Sequence, residues 1–185
     1  MVNRIEIRIA GHGGQGVVLA GQILGKAAVY DGKNALQTQS YGSEARGSSA
    51  KSEVIISDHR INFPAVRKCD ILIAMNQEAL DKNLVALKEK AILIVDSTNV
   101  HEIPQTKVRV FKVPATEVAQ KTFGKSLYAN MVILGALAKI TQIVSTKALE
   151  RVIRESVPPE TMEANLKAYK KGLQLSNGSV LQGPN

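Results

Sequence analysis

The run Ile5–Gly16, IEIRIAGHGGQG, constrains this chain more than any other stretch. An apolar strand breaks straight into a loop where Gly11, Gly13, Gly14 and Gly16 crowd six positions, and a helix-forming run, VVLAGQILGKAA, follows. Strand, glycine loop and helix in that order gather backbone N–H groups at a helix N-terminus, where the macrodipole favours an anion such as a phosphate. Glycine suits the loop because a Cβ would obstruct positive-φ turns and the close approach of a ligand. Gly11, Gly13 and Gly16 satisfy G-x-G-x-x-G. The same pattern also serves a tight β–α turn that packs a helix on a sheet and binds nothing. His12 could donate to an anion or hold the turn, and Gln15 could donate to a ligand or cap the loop.

The hydrophobic pattern beyond the loop alternates between strand and helix periods. It predicts strands over Ile5–Ala10, Ala35–Ser40, Ser52–Ser57, Asp70–Met75, Ala91–Val95 and Val108–Val113. Helices are expected over Val17–Tyr30 and Glu78–Lys90, with a short one after Pro114. DILIAM (70–75) is apolar on both faces, as in a sheet covered on two sides. The run 126–141 is apolar almost all round, so it is either central or covered by another chain. Ser145 can cap a following helix, with Val144 and Leu149 as a hydrophobic staple. Pro158 and Pro159 stop that helix and start another whose stripe is Met162, Leu166, Tyr169 and Leu173. The expectation is one α/β domain over 1–185: a Rossmann-like, mostly parallel sheet flanked by helices, with a helical C-terminal region and a frayed tail at 177–185.

A nicotinamide-binding fold of this kind would end its second strand on an acid that holds the ribose. ALQTQSY offers only Gln37, Thr38 and Gln39, and Asp31, at about the right spacing, falls in the preceding turn. The phosphate half of the signature is present and the ribose half is missing, which argues against a simple dehydrogenase. The loop Tyr41–Gly47, YGSEARG, is a second unusual feature. Gly42 and Gly47 bracket Glu44 and Arg46, with Tyr41 at the edge, a set that suits a protein interface, a ligand phosphate or a solvated turn. Asp96 ends a buried strand but also suits a capping turn.

Cys69 is the lone cysteine, which rules out an internal disulfide and a cysteine-held cluster within one chain. It precedes a buried strand, where a structural thiol is the usual case. No catalytic triad and no metal-ligand spacing is present, and His59 and His101 read as surface residues. The net charge of +8, from 24 basic and 16 acidic residues, invites nucleic acid, but aromatics are only 4% and the lysines are dispersed. A basic surface for an acidic partner or a phosphorylated ligand fits better. No apolar run reaches the roughly 20 residues of a membrane span, and the first residues lack a signal-peptide layout. The cytoplasm is the expected compartment.

GHGGQGVVLAGQILGKAA, YGSEARG and ANMVILGAL, in that order, make the chain resemble the gamma subunit of 2-oxoacid:ferredoxin (acceptor) oxidoreductases from Ile5 to about Gly172. The 2-oxoglutarate enzyme is the best match, with the pyruvate, branched-chain 2-oxoacid and indolepyruvate enzymes as alternatives. The resemblance implies a complex that decarboxylates a 2-oxoacid on thiamine diphosphate. It passes electrons through iron–sulfur clusters to ferredoxin or another low-potential acceptor, and releases an acyl-coenzyme A. Thiamine diphosphate and the clusters would belong to the alpha, beta and delta-type subunits. This chain has no thiamine diphosphate signature and would not be catalytic alone. It would dock on the others, with coenzyme A phosphates at Gly11–Gly16 and YGSEARG near the subunit junction. An apolar face left bare would pair isolated copies as a homodimer. The competing readings are a stand-alone nucleotide-binding protein, and a scaffold in which a bulkier residue at Gly13 destabilises the fold.

Overall fold

The computed structural model describes residues 4–42, 48–175 and 180–181. Its strands are β1 (Arg4–His12), β2 (Asn34–Tyr41), β3 (Ser49–Ser57), β4 (Cys69–Ala74), β5 (Leu87–Asp96), β6 (Arg109–Val113) and β7 (Val180–Leu181). Its helices are α1 (Val17–Tyr30), α2 (Gln77–Asn83), α3 (Ala115–Phe123), α4 (Ala129–Thr141), α5 (Thr146–Ser156) and α6 (Pro159–Leu175). All strands join one sheet in the order β2-β3-β1-β4-β5-β6-β7. Strands β1, β2, β4, β5 and β6 share one direction, and β3 and β7 run against them. This is the expected α/β class with a mostly parallel sheet.

The sheet's two faces are unequally covered. Ile7, Ile9, Val54, Ile56, Ile71 and Ile73 share one buried cluster with residues of α1, α3, α4, α5 and α6. On the other face Ala10, Ile55, Leu72, Ala74, Leu93 and Val95 are covered by Ala79 and Leu80 of α2 and by Val66, Val100 and Val108. Arg8 is buried in that thinner layer. Its Nε donates to Glu53 Oε1 at 2.8 Å and its Nη2 to the Val66 carbonyl at 2.9 Å. The charge is therefore paired and hydrogen-bonded, as burial requires.

The expected all-round apolar helix is central to this chain. It opens with a single 3₁₀ turn, Ser126–Tyr128, and every residue of α4 from Ala129 to Ala138 is buried. Of the run, Leu127 is the large side chain left in solvent, 58% exposed. α4 meets α6 at backbone distance. A Cβ on Gly135 would lie 2.1 Å from the Tyr169 carbonyl oxygen, and one on Gly172 would lie 1.9 Å from that of Val132. Ser145 caps α5 as expected, its Oγ accepting from Ala148 N–H at 3.1 Å. Asp31 in turn holds Ser145, accepting from its Oγ at 2.6 Å.

One expectation needs correction. The helix predicted over 78–90 ends at Asn83, and after a 3₁₀ turn the chain is already in β5 at Leu87. Leu87 pairs with Cys69, and Lys88 Nζ lies 2.8 Å from Asp70 Oδ2 and 2.9 Å from Glu6 Oε2. These long-range partners override a helix-favouring composition. Of the expected tail, Val180 and Leu181 pair with Phe111 and Val110; the rest of it, and Glu44, Arg46 and Gly47, lie outside the described residues.

The tight α4–α6 crossing makes a sharp prediction. Gly135→Ala should lower the unfolding free energy by about 3 kcal/mol, because backbone atoms cannot give way as side chains do. In α1 the nearest atoms to a Cβ on Gly25 are 3.8 and 3.9 Å away. Gly25→Ala should therefore stabilise by about 0.5–1 kcal/mol. Urea denaturation of the two variants checks the opposite signs.

Candidate functional site

β1 and β4 are parallel neighbours whose following connections leave in opposite directions: α1 leads to β2 beyond β3, while β4 leads on to β5. The crevice at their carboxyl ends is thus a topological switch point, the usual ligand position in open α/β sheets. The glycine loop lies there, beside Met75 and Asn76, which follow β4.

Gln15 shapes the loop. Its Oε1 accepts from His12 N–H at 2.7 Å and from Asn76 Nδ2 at 2.8 Å, while its Nε2 donates to the Met75 carbonyl at 3.2 Å. The side-chain amide is committed to the protein, so its role is to cap the loop. Gly11 is required by space, since a Cβ would fall 2.6 Å from Gln15 Oε1 and 3.0 Å from Met75 Cβ. Gly16 is required by conformation, with φ 72° as N-cap of α1. Gly14 also has positive φ. Gly13 differs: its N–H donates to the Ser48 carbonyl at 2.8 Å, and a Cβ would find that oxygen at an ordinary 3.6 Å. The geometry leaves room for the Cβ of an alanine at Gly13.

The loop separates two cavities. One, of about 220 Å³, is lined by Gly11, His12, Tyr41, Lys51, Asn76 and Lys82 among others. The second, of about 200 Å³, is lined by Gly14, Gln15, Asn99, Thr116, Ser126 and Leu127 with neighbours. The first is the charged one. Lys51 Nζ is 3.4 Å from Glu53 Oε1, and His12 Nε2 is 3.6 Å from Glu78 Oε2. Lys82 pairs with Glu78 and holds that carboxyl below the usual carboxylate range. His12 Nδ1 is buried and has no hydrogen-bond partner among the described residues. The first turn of α1 carries no acid and Gly16 offers no side-chain cap, so the helix itself does not offset the positive end of its dipole. The arrangement favours an anion that also accepts or donates a hydrogen bond.

The second cavity is neutral and firmly built. Asp96 is fully buried and accepts from Thr116 Oγ1 at 2.5 Å, Asn99 Nδ2 at 3.1 Å and Thr98 N–H at 3.2 Å. It is the capping residue of this turn and of the start of α3. His59 and His101 are exposed. Tyr41 is 59% exposed on the rim of the first cavity. Sequence reasoning missed Asn76, Lys51 and Lys82. Asn76, three residues before Ala79, carried a legible signal, because its Oδ1 accepts from Ala79 N–H at 2.8 Å and caps α2. The two lysines carried none, since β3 and α2 bring them together from distant parts of the chain.

The sequence model for "Pyruvate ferredoxin/flavodoxin oxidoreductase" matches residues 6–175. The chain belongs to this family. It is 51% identical to the 2-oxoglutarate synthase subunit KorC of Methanothermobacter thermautotrophicus, over 93% of this chain and 95% of that one. The pyruvate synthase subunit PorC of the same organism is 33% identical over 90% of this chain and 92% of its own length. Among solved structures, the gamma subunit of a keto/oxoacid ferredoxin oxidoreductase from Geobacter sulfurreducens superposes with a TM-score of 0.83. It is 43% identical, covering 93% of this chain and 98% of that one.

The loop geometry separates fold from site. Gly13→Ala should leave the unfolding free energy within about 0.5 kcal/mol of the parent. Gly16→Ala should cost about 1–2 kcal/mol, because an L-residue resists the left-handed conformation. Burial pushes the Cys69 thiol up to about 11, so at pH 8 it stays protonated and unreactive. A thiol-specific reagent should label the native chain at pH 8 far more slowly than the urea-unfolded chain. Comparable rates would contradict a structural thiol.

Proposed function

We propose that this chain is the gamma subunit of a cytoplasmic 2-oxoglutarate:ferredoxin oxidoreductase, a single α/β domain that docks on catalytic alpha, beta and delta-type subunits. Those subunits carry the thiamine diphosphate and iron–sulfur clusters that supply decarboxylation and electron transfer to ferredoxin. The greater identity to a 2-oxoglutarate subunit than to a pyruvate subunit favours 2-oxoglutarate as the oxoacid.

This chain's own task is to hold the charged end of coenzyme A, the acyl acceptor. The observation that carries the reading is the first cavity. Lys51, Lys82 and His12 line it beside a glycine loop at a sheet switch point, with Glu78 the acid among the described lining residues. Coenzyme A bears a pyrophosphate and a ribose phosphate, so cations and hydrogen-bonding groups at one end of a cavity suit it. Tyr41 and Leu127 stand exposed, one on the lining of each cavity. They offer apolar contacts to a subunit that closes over the loop.

Steady-state kinetics of the assembled complex tests this. The double variant Lys51→Glu/Lys82→Glu should raise the KM for coenzyme A at least about tenfold, the loss of one or two charge-assisted contacts. The KM for 2-oxoglutarate should stay at its parent value. A KM for coenzyme A that does not move would end the proposed role of this cavity.

A further inference from the structure

A separate groove of about 480 Å³ lies where the C-terminal end of α3 meets α5 and α6. Its apolar surface is Phe123, Ala164 and Leu166, and its charged side chains are Arg154, Lys167, Lys170 and Glu163. It shares no lining residue with the two cavities at the glycine loop. α3 spans the distance between them: Thr116 near its start lines the neutral cavity, and Phe123 at its end, about 10 Å further along the axis, lines the groove.

The charges are arranged at a cost to the isolated chain. Arg154, Lys167 and Lys170 are exposed and make no ion pair with any described residue. Lys167 and Lys170 stand three apart on one helix, a spacing at which like charges repel by a few tenths of a kcal/mol. Elsewhere on the surface, Lys121 is paired with Glu117, and Arg151 with Glu155 at 3.0 Å. Lys167 Nζ sits 5.8 Å from the centroid of the Phe123 ring, so cation and apolar surface form one continuous patch. Glu163 is the single carboxylate among the described residues lining the groove.

We propose that this groove docks an acidic amphipathic segment of another polypeptide in the complex. An apolar side chain of that segment rests on Phe123, Ala164 and Leu166, and its carboxylates meet Arg154, Lys167 and Lys170. Three unpaired cations against one acid give the charge complementarity. The apolar floor between them calls for a partner that is amphipathic, which distinguishes a protein segment from a uniformly charged phosphate backbone. The proposal rests on the chain's membership of a multi-subunit complex, and is independent of coenzyme A binding at the loop.

The test uses the complex isolated through this chain. A photo-crosslinking p-benzoylphenylalanine replaces Glu163, which leaves all three cations in place, and mass spectrometry maps the product. Attachment to an acidic stretch of another subunit is the expected result. Attachment only to neutral or basic stretches, to RNA or to lipid, or no attachment at all, overturns the proposal. In parallel, Lys167→Glu/Lys170→Glu should weaken association of that subunit at least tenfold and reduce its salt dependence, with the KM for coenzyme A unchanged. Lys147→Glu, an exposed change elsewhere on α5, is the control. A complex that assembles equally well with the double reversal overturns the groove and leaves the subunit assignment standing; a chain that isolates alone overturns both.

Discussion

The carboxyl end of the sheet is organised by one side-chain amide. A loop of four glycines in six positions has little to hold its own shape, since glycine loses more backbone freedom on ordering than any other residue. Gln15 supplies the missing constraint from within the loop, accepting from the His12 amide and from Asn76 while donating to the Met75 carbonyl. The Met75 carbonyl also accepts from Asn99 Nδ2, at 3.3 Å, and Asn99 donates to Asp96, which receives Thr116. A continuous polar chain therefore ties the end of β1 to the ends of β4 and β5 and to the start of α3. Such a chain stays stable only while every buried member is satisfied. That condition explains why the two cavities flank a rigid loop.

The direction of β3 decides what kind of site this can be. In a dinucleotide-binding sheet, the strand beside β1 is parallel to it and ends at the same edge, where its last residues meet the ribose. Here the neighbour of β1 on the β2 side is β3, antiparallel, and His12 stands opposite Ser49 at its beginning. The residues delivered to that edge are thus Ser49 and Lys51 from one strand and Tyr41 from the end of β2. Among the described residues at these strand ends, none is an acid that could hold a ribose. Asp31, correctly spaced in sequence, is used instead to hold the N-cap of α5. The same reversal that disfavours a free nicotinamide site puts a lysine beside the glycine loop.

Local signals were legible in the sequence and long-range ones were not. The limits of α1 were predicted to the residue, because the glycine loop before it and Asp31-Gly32 after it are both local punctuation. The cap of α5 was legible for the same reason. The segment 84–90 was misread because its fate depends on Cys69, Asp70 and Glu6, none of them near in sequence. Periodicity marked 126–141 as fully covered but could not say by what, since the answer is a backbone contact with Gly172 of α6. Gln15 was balanced between ligand donor and loop cap until its three partners were visible. Lys51 and Lys82 had no signal at all, being neighbours only through the fold.

α4 is buried inside the chain. Among the described residues, the large apolar side chains that remain exposed are scattered: Val29 and Tyr30 at the end of α1, Phe63, Val85, Tyr41 and Leu127. Scattered residues of this kind do not by themselves drive association. The chain's net charge is +8. Cations at the glycine loop and cations at the α3–α5–α6 groove then fall into two different settings. At the loop they stand beside glycines, which let a small anion approach backbone amides, whereas at the groove they stand beside Phe123 and Leu166, which a small anion cannot use. The neighbours of the charges, more than the charges themselves, separate the proposed ligand site from the proposed protein-docking one.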